Sequence, residues 1–145
     1  MNVNFGRAAL AGVLGTVVMT GVGLYGAPMM GMPPMNPAEM LAGQMGGSTV
    51  MGWIGHFMIG VILAELYAVV AGSLPGPVVV RGALFGLAPW LLAQVAVMPM
   101  MGMGFFSGAM NMAMGSLLGH IMYGGVVGAV YGEPSPDPTS ASVTP

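Results

Sequence analysis

Between Arg81 and Glu133 the chain runs for 51 residues without an aspartate, glutamate, lysine or arginine. A run of that length could fold in water only if the rest of the chain supplied a charged surface to cover it. It does not. The 145 residues carry six charged side chains: Arg7, Glu39, Glu65, Arg81, Glu133 and Asp137. Charged residues make up 4% of the sequence, where a soluble domain carries about 25%. Hydrophobic residues make up 56%, and the mean hydropathy is +0.87. The solvent for most of the surface must therefore be lipid. Two arginines and no lysine cannot neutralise a phosphate backbone, so nucleic acid is excluded as a partner. The lack of cysteine removes disulfides, thiolate metal sites and cysteine nucleophiles together.

A spanning helix takes about 20 mostly apolar residues at about 1.5 Å of rise each. Four segments qualify, from about Ala8 to Ala27, Met51 to Leu74, Gly82 to Met98, and Asn111 to Tyr131. The third is the shortest and has room to continue past Pro99. The expected fold is an all-α integral membrane domain of four transmembrane helices over residues 1–132. The remainder, 133–145, is rich in proline, serine and threonine without apolar periodicity, and reads as a disordered tail.

The spans come in two similar pairs. With Arg7 set on Arg81, RAALAG aligns with RGALFG and Thr20 with Gln94. PMMGM at 28–32 recurs identically at 99–103. GHFMIG at 55–60 matches GHIMYG at 119–124, and in the same register Tyr67 falls on Tyr131. The order of these matches predicts two tandem two-helix repeats, 7–74 and 81–132, related by a pseudo-two-fold axis along the membrane normal. The first helix resembles a signal peptide, but its counterpart is internal, so it is expected to be retained. Both arginines begin an odd-numbered helix and so lie on one membrane face. Cytoplasmic loops collect positive charge, which places both termini in the cytoplasm.

Small residues at four-residue spacing predict close helix packing: Gly124, Gly128 and Gly132 on the fourth helix, and Gly60, Ala64 and Ala68 on the second. The segments GHFMIGVILAELYA, WLLAQVAVMPMMGMGFF and LLGHIMYGGVVGAVYG resemble a family of small multi-pass bacterial membrane proteins of unknown function. The resemblance covers nearly the whole chain except the tail. It implies a location in the bacterial plasma membrane and brings no activity with it.

Of 18 methionines, seven fall between Met29 and Met51 and seven between Met98 and Met114, in the connections between helices one and two and between three and four. A histidine sits within a turn or two of each connection, His56 on the second helix and His120 on the fourth. Thioether and imidazole together suit copper, and thioether favours Cu(I). The candidate site is His56 and His120 with Met29, Met30, Met32, Met100, Met101 and Met103, on the outer face. Two other readings stay open. Methionine also serves as a flexible filler of irregular gaps. Alternatively, the two imidazoles could ligate a haem b iron axially, with Gly60 and Gly124 making room for the macrocycle, although no cation lies on that face to meet the propionates. Two histidines fall short of a zinc set.

Thr20, Gln94 and Glu65 are the intramembrane polar residues of interest. Glu65 falls on Ala129 in the repeat and costs about 2–3 kcal/mol to insert as a charged group. A hydrogen bond to Thr16, Gln94 or a backbone carbonyl would reduce that cost. Glu65 lies nine residues beyond His56, about 180° around the same helix. If His56 faces inward, Glu65 faces outward, towards a second copy or a larger partner subunit. No Ser/His/Asp set, phosphate loop or paired carboxylate occurs, so no enzyme activity is expected. The function classes left are a metal-handling accessory component, a haem-bearing electron-transfer subunit and a ligand-free structural subunit.

Overall fold

The computed structural model describes residues 3–134, so nearly all of the tail assigned to 133–145 lies outside the described residues. Four helices are long and apolar enough to cross a membrane: Phe5–Met29, Thr49–Ser73, Val78–Met100 and Met110–Tyr131. Each coincides with an expected segment. The first and third extend further at both ends, and the third does continue past Pro99.

The repeated PMMGM segments have a backbone explanation. Proline lacks the N–H that would bond the carbonyl four residues back, and its ring crowds that carbonyl. Just before each proline the helix widens into a π turn, at Val22–Gly26 and Ala93–Val97. There the N–H groups of Ala27 and Met98 reach five residues back, to the carbonyls of Val22 and Ala93. Each helix then stops on a glycine in the left-handed region, Gly31 and Gly102, both at φ +77°. The N–H of Gly31 bonds the Pro28 carbonyl at 3.0 Å, and that of Met32 bonds the Ala27 carbonyl at 3.1 Å. Gly102 to Pro99 and Met103 to Met98 repeat the pair, both at 3.0 Å. These are Schellman stops, which only glycine closes without strain. PMMGM is thus a helix terminator before it is anything else.

The first span lies centrally, against the second on one side and the fourth on the other, and the third packs on the fourth. Close approach at glycine fixes each contact. Gly12 meets the backbone of Gly60 and Val61, and Gly15 meets the ring of Tyr123 and the side chain of Val127. Gly82 and Gly86 meet Gly124 and the His120 carbonyl, and Gly128 meets the Val78 carbonyl. Tyr67, Tyr123 and Tyr131 are buried among these helices. At the end of the bundle where the first span begins and the fourth ends, the Arg7 Nε donates to the Val130 carbonyl at 2.9 Å. At the same end Arg81 pairs with Glu133 at 2.8 Å.

One helix was not expected. Pro37–Gln44 lies in the connection between the first two spans, a segment read from sequence as a plain outer-face connection. The Asn36 side chain caps the N–H groups of Ala38 and Glu39, Pro37 takes the first helical position, and Glu39 sits in the first turn. This helix rests on the second span, where Gly52 admits Ala38 and Ala42.

Candidate functional site

The second and third spans are joined by the short turn after Ser73 and touch chiefly near it. There the Tyr67 hydroxyl donates to the Val78 carbonyl at 3.4 Å, and the Tyr67 ring meets Phe85 edge-on at 5.5 Å. Elsewhere along their length these two spans make little contact. The space between them is a hollow of about 230 Å³ whose walls come from all four spans and the short helix. His56 and His120 both line it. The rest of the wall is almost wholly apolar and includes the methionines Met19, Met40, Met98 and Met101.

Hydrogen bonds fix which nitrogen of each imidazole is free. The Thr20 hydroxyl donates its one proton to the Thr16 carbonyl at 2.8 Å. Its contact with His56 Nε2, at 3.0 Å, must therefore be an N–H donated by the imidazole. The proton sits on Nε2 and the lone pair on Nδ1. His120 is the opposite tautomer. Its Nδ1 lies 2.8 Å from the Ser116 carbonyl, which can only accept, so Nε2 carries the lone pair. Two imidazoles, each oriented by a hydrogen bond at one nitrogen, thus border one hollow. This is how metal-binding histidines are held, the hydrogen bond fixing ring and tautomer. His56 is 7% exposed, and the Tyr123 hydroxyl closes the wall beside it by donating to the Gly60 carbonyl.

A smaller cavity of about 100 Å³ adjoins the Met-rich connections. It shares His120, Met19, Met40 and Met98 with the larger hollow. Its polar edge is a hydrogen-bonded chain: Ser107 Oγ donates to Gln94 Oε1 at 2.8 Å, and Gln94 Nε2 donates to Ser116 Oγ at 3.3 Å. Gln94 is 1% exposed.

The methionines named from sequence are mostly elsewhere. Met29 and Met100 are 88% and 84% exposed, and Met30 is exposed as well. Met32 lies against Gly115 of the fourth span, and Met103 lines neither cavity. Of the six, only Met101 borders the histidine hollow. The helix stops are what hold the others away. Sequence reasoning missed Met19, Met40 and Met98. Met19 was legible, one turn beyond Thr16 on the glycine-bearing face of the first span, and Met98 lies four residues beyond Gln94.

Among the described residues no three of histidine, cysteine, aspartate or glutamate come together as a metal set. Glu65 lines neither cavity and is half-buried on the second span. The bonds expected for it from Thr16 and Gln94 are not made. The Thr16 hydroxyl goes to the Gly12 carbonyl at 2.7 Å, and Gln94 is held by Ser107 and Ser116.

Residues 2–142 match the family profile DUF6789, a family of unknown function. The chain belongs to that family. No curated protein and no solved structure matches it. Membership in DUF6789 carries no activity with it.

Proposed function

We propose that this protein is a non-enzymatic component of the bacterial plasma membrane that holds Cu(I) between His56 and His120. The observation that carries the reading is that both imidazoles line one hollow while each is held by a hydrogen bond at one nitrogen only, Nε2 of His56 and Nδ1 of His120, so that the other nitrogen of each stands outside those bonds. Cu(I) is soft and accepts imidazole and thioether, and Met19, Met40, Met98 and Met101 supply thioethers in the same walls. No carboxylate lines the hollow, so a hard cation such as Mg²⁺ or Ca²⁺ finds no suitable ligand there. A haem finds less support: no arginine or lysine lines the hollow to meet propionates.

Three further features belong to this reading. The fold is two tandem repeats, supported by the matched π turns, the matched Schellman stops and the placing of Gly12 on Gly60 and of Gly86 beside Gly124. The termini are cytoplasmic, supported by Arg7 and Arg81 lying at one end of the bundle. Glu65 faces a second copy of the chain or a larger partner subunit, supported by its half-buried place on the second span, outside the lining of both cavities.

Competition for Cu(I) against a chromophoric chelator tests the central claim. The purified protein is expected to take up the ion, and the His56→Ala, His120→Ala double variant to lose it. Wild-type protein that leaves Cu(I) on the chelator sinks the proposal.

A further inference from the structure

The smaller cavity abuts the histidine hollow through a shared lining. It lies at the end of the bundle that carries both Met-rich connections. Met35, from the connection between the first two spans, and Met112, at the start of the fourth span, line it. Its far wall is Met19, Met40, Met98 and His120, and those same four side chains border the larger hollow. The lining that the two spaces share thus holds four soft ligands beside the apolar Pro37 and Ala93. A Cu(I) ion in the smaller cavity could be taken by the four ligand-bearing residues and released on the other side.

The polar edge of the smaller cavity fits the same reading. Ser107, Gln94 and Ser116 offer hydroxyl and amide oxygens to an ion that still carries water. The chain ends at Ser116, one turn before His120 and bonded to it through its carbonyl. Ser107 is kept there at some cost to the backbone. It and Phe106 stand at φ 56° and 51°, a region that residues with a side chain rarely adopt. Strain of this kind persists where surrounding contacts hold it, and it clusters at functional sites. Here the holding contact is the Ser107 hydroxyl on a buried amide.

We propose that the smaller cavity is the vestibule through which Cu(I) reaches the histidine pair, passed from Met35 and Met112 to Met40, Met98 and His120 by exchange of one ligand for another. The ion stays Cu(I) throughout, so no electron donor or acceptor is involved. Each step replaces a thioether by a thioether or an imidazole. This inference rests on the copper reading of the larger hollow and adds the direction and path of loading.

Loading kinetics separate the two. Full-length protein in lipid nanodiscs is mixed with a chromophoric Cu(I)–chelator complex, and transfer is followed by absorbance. Met35→Leu with Met112→Leu, which nearly conserves volume, is expected to slow loading at least tenfold and leave final stoichiometry and affinity unchanged. Gly115→Ala disturbs the same cavity from the fourth span, because the added carbon meets Met35 Cε at 2.7 Å and Met32 Sδ at 3.2 Å and must displace the Met35 thioether. It is expected to slow loading likewise. Met29→Leu with Met100→Leu changes only exposed methionines and should load at the wild-type rate. Unchanged rates in both vestibule variants overturn the vestibule and leave the histidine site standing. Lowered equilibrium affinity in those variants also overturns it, because Met35 and Met112 would then belong to the final site. Wild-type protein that takes up no Cu(I) removes the copper reading itself.

Discussion

The carbonyl oxygen of Gly82 occupies the place where a β-carbon on Gly124 would stand, and the Gly124 carbonyl does the same to Gly82. The blocking atoms on both sides are backbone, so neither helix can yield without moving as a whole. Gly124→Ala should therefore destabilise the fold by roughly 1–3 kcal/mol, the usual cost of overpacking. Gly21→Ala is the control, since a β-carbon there meets nothing within 4 Å and the position is helical. It should gain up to about 1 kcal/mol from helix propensity alone. Thermal unfolding in one detergent measures both. Equal melting temperatures for the two variants would contradict the close approach.

Thr20 positions His56 without touching a ligand. Thr20→Val removes the acceptor for the imidazole Nε2–H and leaves a buried donor unpaired. Loss of such an orienting partner typically costs about 10–100-fold in metal affinity, and that is the expected drop for Cu(I). Thr20→Ser keeps the hydroxyl and should restore most of it. A valine variant with wild-type affinity would mean that packing alone fixes the ring.

Much of the fold was readable in advance because membrane spans are written in long apolar runs. The four helices stood out in the sequence, and so did the two histidines; His56 is buried with Gly60 and Tyr67, which lie on its face of the helix by helical periodicity. Most of the clustered methionines stand away from the hollow for a physical reason. Their clustering drew attention to the connections, but PMMGM is a proline followed by a left-handed glycine, and that backbone event turns Met29 and Met100 outward. The thioethers that do reach the hollow come one at a time from separate elements, a pattern that leaves no cluster in the sequence. The helix Pro37–Gln44 was legible and overlooked: Asn-Pro followed two residues later by glutamate is a start signal.

Orientation can be read by chemical labelling. Gln44 and Ser73 are both exposed and lie at opposite ends of the bundle. With a single cysteine at position 44, intact cells should react with an impermeant maleimide. With the cysteine at position 73, reaction should wait until the membrane is opened. The reverse pattern would place the Met-rich connections in the cytoplasm.

Glu65 distinguishes a solitary protein from an assembled one. Ile62 is exposed and one turn away on the same face, so a cysteine there reports on a neighbouring chain. Crosslinking through Ile62→Cys in native membranes is expected. It should survive Glu65→Gln, which still donates and accepts a hydrogen bond, and fall sharply with Glu65→Leu. If no crosslink forms, or if leucine leaves it intact, the second span has no partner at that position.

The joint between the second and third spans is fastened at one end only, by the turn after Ser73 and the Tyr67–Val78 bond. Two rods fastened so behave as tongs. The width of the gap at the free end follows from the angle between the rods, and the surrounding bilayer sets part of that angle through helix tilt. A thicker bilayer stands the spans upright and narrows the jaws, whereas a thinner one lets them lean apart. The width of the hollow between these two spans is therefore a property of the protein together with its membrane, whereas His56 and His120 stand on spans that are both packed against the first.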